Sequence, residues 1–126
     1  MSTVPQNLKY GPSHEWVRAE ADGTLTLGVT DHGQSLLGDL VFVQLPEPGS
    51  ALVAGQPCAV VESVKSASDV LSPVNGEVVE LNSAVVDSPE TVNDDAFGGG
   101  WLVRIRPSGE IAADWMDAAA YSESIA

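Results

Sequence analysis

A chain of 126 residues and 13.1 kDa can bury a core without metal or disulfide support, and 44% hydrophobic against 18% charged residues marks it as globular rather than disordered. Its 18 acidic residues against 5 lysines and arginines give a net charge of −13, which leaves too few cations for nucleic-acid phosphates or an anionic membrane surface. Such a surface instead steers encounters with basic patches on other proteins.

The N-terminal ten residues hold no basic stretch followed by an apolar run, and no segment approaches membrane-spanning length, so a cytoplasmic protein is expected. Residues 14–18, 19–23 and 24–30 read as strand, turn and strand. Asp22-Gly23 supplies the turn, and Leu25, Leu27 and Val29 alternate as in a half-buried strand. Thr30 or Asp31 can cap a short helix near residues 31–37 that Gly38 ends. Residues 39–45 alternate again until Pro46-Glu47-Pro48-Gly49 breaks the run. Further on, 57–64 reads as a strand, 65–68 as a tight turn and 69–71 as the returning strand; 76–82 is another strand. Pro89 and the run Gly98-Gly99-Gly100 predict an irregular, exposed stretch over 88–100, followed by a last strand over 101–106. From Ser108, a candidate N-cap, Ile111, Trp115 and Ala119 recur every four residues and predict a C-terminal helix. The expected fold is mainly β, a sandwich or barrel with these two helices, in one domain over 1–126.

Enzyme chemistry finds no foothold. His14 and His32 fall in separate segments without the converging ligands of a zinc site, and no nucleophile elbow, phosphate loop or dinucleotide fingerprint occurs. Cys58, the single cysteine, is flanked by Pro57, Ala59, Val60 and Val61, which suits a small buried hydrophobe better than a nucleophile.

The lysines are more informative, since only Lys9 and Lys65 exist. Lys65 falls at the predicted tip of a hairpin with small residues beside it, the presentation a modifying enzyme needs. A surface lysine that keeps a turn soluble would look the same.

The segment Glu62-Ser63-Val64-Lys65-Ser66-Ala67-Ser68-Asp69-Val70 strongly resembles the lipoylation site of the glycine cleavage H-protein family. Further blocks follow in the family's order. They are Lys9-Tyr10 with Ser13-His14-Glu15-Trp16-Val17, Gly28-Val29-Thr30-Asp31-His32, Leu37-Gly38-Asp39, Val41-Phe42-Val43-Gln44-Leu45-Pro46, Ser72-Pro73-Val74-Asn75-Gly76, Val92-Asn93 and Gly100-Trp101-Leu102. The resemblance spans nearly the whole chain. It implies a barrel-sandwich hybrid of the lipoyl-domain type and a carrier without an active site of its own. Lys65 would bear lipoate in amide linkage. The arm would take an aminomethyl group from glycine decarboxylase, pass it to aminomethyltransferase and be reoxidised by dihydrolipoyl dehydrogenase, after lipoyl-attaching enzymes had installed it on a monomer. Matched residue by residue, Ser13, Glu15 and Asp69 fall at polar positions lining the arm's cleft, and Val29 and Leu37 at apolar ones.

Three departures from the family pattern stand out. Asp95-Ala96-Phe97-Gly98 lacks a common proline, which should soften that loop. Gly33 replaces a common alanine, which should loosen the short helix, and Leu36 stands where some members are polar. The rival readings are a lipoyl or biotinyl domain of another complex, a relay donating lipoyl or octanoyl chains to other lipoyl domains, and an unmodified interaction protein. Lys65 would serve the relay equally well.

Overall fold

The computed structural model describes residues 4–126; the first three residues of the segment in which no leader is expected lie outside the described residues. In chain order the elements are β1 (Lys9–Tyr10), β2 (Glu15–Ala19), β3 (Leu25–Val29), α1 (Asp31–Leu37), β4 (Leu40–Gln44), β5 (Ala51–Leu52) and β6 (Pro57–Ser63). Then come β7 (Ala67–Leu71), β8 (Gly76–Leu81), α2 (Ser83–Asp87), α3 (Glu90–Asp94), β9 (Val103–Pro107) and α4 (Ala118–Ser124). Two antiparallel sheets result, ordered β1-β2-β3-β9-β8-β5 and β4-β6-β7. Val17, Leu27, Val29, Val78, Val103 and Ile105 from the larger sheet meet Leu40, Val43, Val61 and Val70 from the smaller one in a single core. Burying each such side chain contributes about 1.5–3 kcal/mol.

β3 departs from the expected half-burial: all five of its residues are buried. Its second face is also covered. Thr26 is screened by Glu20 and Arg104, whose side chains both hydrogen-bond its hydroxyl. A second cluster of Leu8, Tyr10, Trp16, Ala118 and Tyr121 forms where the C-terminal segment returns. The alternation expected over 39–45 is interrupted by a bulge between Leu40 and Phe42, which leaves Val41 and Phe42 both exposed.

The C-terminal helix begins later than expected. Ser108 caps nothing helical; Ala112 donates to Pro73 O at 2.8 Å, and Met116 exchanges two backbone hydrogen bonds with Tyr10. Only then does Asp117 cap α4 by accepting from Ala120 N at 2.9 Å. Ile111 and Trp115 belong to an irregular strap that packs on the main core, whereas Ala119 is exposed on α4, so the four-residue spacing marks no helix face. The stretch 88–100 is likewise less irregular than expected, because α3 lies within it and buries Val92 fully. Ala96 O accepts from the Trp16 indole at 3.0 Å, while Asp95 accepts from Gly99 N and Gly100 N. The loop that lacks the proline is thereby tied at both ends.

Candidate functional site

Lys65 stands at the tip joining β6 to β7. The reversal is tighter than expected, with β6 ending one residue early and β7 beginning two residues early, because Ser63 closes it: Ser63 N donates to Ser66 O at 2.7 Å and Ser63 Oγ accepts from Ser66 N at 3.2 Å. Below the tip the ladder is continuous from Glu62↔Ala67 to Val60↔Asp69. A rigid ribbon thus carries an exposed amine, with Val64 beside it 88% exposed. Among the described residues Lys65 makes no ion pair. Its stem lies alongside the end of α1, Cε 3.6 Å from where a Cβ on Gly38 would stand.

Both ends of α1 are held firmly. Thr30 caps the helix by accepting from Gly33 N at 2.9 Å, and Gly38 ends it at φ 87°, a conformation that favours glycine. Asn93 on α3 then clasps the helix to β4. It donates to Gln34 Oε1 and Gly38 O, and accepts from Leu40 N at 2.9 Å.

A cleft of about 230 Å³ opens between α1, the β6–β7 hairpin and the entry to β2. It brings together all five residues matched above: Ser13, Glu15, Val29, Leu37 and Asp69. Lys65 is not among the lining residues but stands at the rim, next to Ser66, which does line it. His14, Gly33 and Leu36 line it too. Spacing gave no signal for His14 or Gly33; they meet only because β3 turns into α1 beside the β1–β2 loop.

Glu15 is the unusual group. It is 1% exposed, with Oε1 accepting from Ser13 N at 3.1 Å and Oε2 from Leu71 N at 3.0 Å. Gly11 makes room for it, since a Cβ there would collide with Glu15 Oε1 and the Trp115 ring. Burial pushes the Glu15 carboxyl up, and the backbone hydrogen bonds offset this only in part. Burial likewise holds the His14 imidazole below its ordinary value, with the neighbouring His32 adding to the effect. The cleft therefore joins apolar walls to one desolvated acid. That combination suits the slim end of a flexible chain carrying positive charge. Its volume is below the roughly 300–1,000 Å³ typical of sites for drug-sized ligands.

Residues 8–126 match the family model described as glycine cleavage H-protein. The chain belongs to the glycine cleavage H-protein family. A glycine cleavage system H protein of Shewanella frigidimarina is 56% identical over 126 residues, covering 99% of this chain and 98% of its own. One from Pseudoalteromonas translucida is 60% identical over 110 residues, or 87% and 85% of the two chains. The crystal structure of the H protein from Mycobacterium marinum superposes with a TM-score of 0.89 at 38% identity, over 97% of this chain and 98% of that one. The fold is thus the lipoyl-domain-like barrel-sandwich of that family, and the family is one of carriers rather than catalysts. Among the described residues no helix is long and apolar enough to cross a membrane, and no cluster of side chains could hold a metal ion.

Proposed function

We propose that this H-protein family member serves glycine cleavage as a single monomeric cytoplasmic unit over residues 1–126, with Lys65 as the residue that bears lipoate. The observation that carries the reading is the placement of Lys65: exposed and, among the described residues, without an ion pair, on a stapled hairpin at the rim of the cleft. The residues present fit such a group, since Leu37 and Val29 give the cleft apolar walls and Glu15 gives it a buried acid. When attached in amide linkage, lipoate would supply a cyclic disulfide that is reduced as it takes up the aminomethyl group and is left as a dithiol once that group has been given back.

The chain's own residues do the rest. Val29 and Leu37 exclude water from the sheltered end. Glu15 offsets a positive amine there, and its own burial is less costly for that pairing. Ser13 and Asp69 supply polar edges at the mouth. Lys65 on its ribbon confines the reactive end near whichever partner has docked, raising its effective concentration. Those partners are glycine decarboxylase, aminomethyltransferase, dihydrolipoyl dehydrogenase and the lipoyl-attaching enzymes, towards which the charge of −13 steers basic surfaces.

Intact mass of the protein from its native cell tests the reading. A lipoyl-sized increment that is absent in Lys65→Arg supports it; unmodified wild type during growth on glycine refutes it. Failure to support glycine decarboxylase turnover, while the acyl chain passes to other lipoyl domains, would reassign the chain as a relay.

A further inference from the structure

The C-terminal helix reaches the back of the cleft through one hydroxyl. Tyr121 on α4 is 1% exposed and stacks on Tyr10, ring centroids 4.6 Å apart and planes 8° apart. Its Oη lies 2.7 Å from Thr30 Oγ1 and 2.9 Å from His14 Nδ1. Thr30 Oγ1 in turn accepts from Gly33 N at 2.9 Å. One buried oxygen therefore joins the cap of α1 to the residue that leads into β2.

Both ends of this chain of hydrogen bonds are cleft wall. His14 and Gly33 line the cleft and press together, since a Cβ on Gly33 would stand 2.9 Å from His14 Cβ. His14 also holds φ at 66°, a left-handed conformation that is strained for a residue other than glycine and persists only where its surroundings impose it. Its carbonyl accepts from Thr30 N at 2.9 Å, so the backbone repeats the link that Tyr121 makes between side chains. The helix that depends on this cap has only seven residues, too few to be stable without tertiary support. Donors and acceptors balance in either direction. Thr30 can donate to Tyr121 and Tyr121 to His14 Nδ1, or His14 Nδ1 can donate to Tyr121 and Tyr121 to Thr30.

We infer that Tyr121 is a positioning residue for the cleft, its hydroxyl fixing His14 and the first turn of α1 and so the spacing of the walls that shelter the loaded end of the Lys65 group. Tyr121 does not line the cleft, so it acts only through these two neighbours. This inference rests on the cleft reading proposed above.

Tyr121→Phe tests it, because the ring and its stacking stay while the oxygen goes. Tyr10→Phe is the control, for the Tyr10 hydroxyl donates to Pro5 O, away from the cleft. Three quantities are compared: the imidazole ¹⁵N shifts of His14 and the amide exchange of Gly33, both in the unmodified protein, and the lifetime of the aminomethyl-loaded form. In Tyr121→Phe the His14 Nδ1 resonance should move. Gly33 should exchange about fivefold faster and the loaded form should decay about fivefold faster, the effect of losing one ordinary hydrogen bond. Tyr10→Phe should leave all three unchanged. Unaltered His14 and Gly33 signals in Tyr121→Phe would overturn the inference. So would a loaded form whose lifetime is unaltered in Tyr121→Phe yet shortened in Glu15→Ala. A lifetime unaltered in both variants would bring down the cleft reading itself, and this inference with it.

Discussion

Replacing Glu15 by Gln separates the charge of the buried carboxyl from its shape. Burial pushes the carboxyl above its ordinary 4.5, the backbone hydrogen bonds pull it partly back, and the charge of Asp114 adds to the rise. A raised folded value means that folding takes up a proton between the unfolded and folded titrations. The stability this group contributes is therefore greatest below the unfolded value and is lost as pH climbs through the folded one. For one proton the slope cannot exceed about 1.4 kcal/mol per pH unit. Gln does not titrate, but its nitrogen cannot accept a hydrogen bond. Because Ser13 N and Leu71 N each donate to a separate oxygen of Glu15, one of them loses its partner in the variant, which costs about 1–1.5 kcal/mol.

The two effects have opposite pH profiles. Near pH 4.5 wild type should be the more stable by about that lost hydrogen bond. Towards neutrality its advantage should shrink, because wild type alone then carries a desolvated charge. Urea denaturation of both unmodified proteins at matched pH gives the difference directly, and titrations common to both cancel. A wild-type advantage that widens with rising pH would refute the reasoning, since it would mean that the two amides, rather than desolvation, govern the carboxyl.

Gly33→Ala sets helix propensity against packing. Alanine gains about 1 kcal/mol in a helix, but the new Cβ would stand 2.9 Å from His14 Cβ and 3.2 Å from His14 O, neither of them a flexible tip. Overpacking of this kind costs about 1–3 kcal/mol, so a net loss is expected, and a raised melting temperature would contradict it. Cys58 is pushed up to about 12, by burial first and by the charge of Glu15 second. At pH 8 a maleimide should then label the folded chain at least about a hundredfold more slowly than the urea-unfolded chain; comparable rates would show the thiol to be accessible and ionisable.

Where a local rule acts alone, the sequence was a sufficient guide. Thr30 as a candidate cap and Gly38 as the stop placed α1, because capping and the left-handed stop are set by neighbours in the chain. The hairpin was legible to within two residues, the tighter turn coming from the Ser63 side chain. Other features depend on what arrives from elsewhere. The burial of Thr26 needs Glu20 and Arg104, and the strap before α4 is held by its pairing with Tyr10, which overrides a spacing that suggests a helix. α3 hides in a segment rich in turn residues because its single core contact is Val92. The cleft was legible only by resemblance. Nothing in the spacing of Ser13, Glu15, Val29, Leu37 and Asp69 says that they converge, and Tyr121 carries no local mark of its reach to His14.

A tethered carrier has to satisfy two opposed demands, and this fold meets them in adjoining places. The amine must be free, and at the tip it is exposed and, among the described residues, makes no ion pair. The shelter must be stiff, because a desolvated acid gains from a cationic guest only if its walls do not relax to admit water. Asn93 ties one end of α1 to β4, while Thr30 and Tyr121 tie the other to β2 and α4. The short helix beside Lys65 is thus braced at both ends by residues outside it, and the reach a carrier needs is left to the lysine and what it bears.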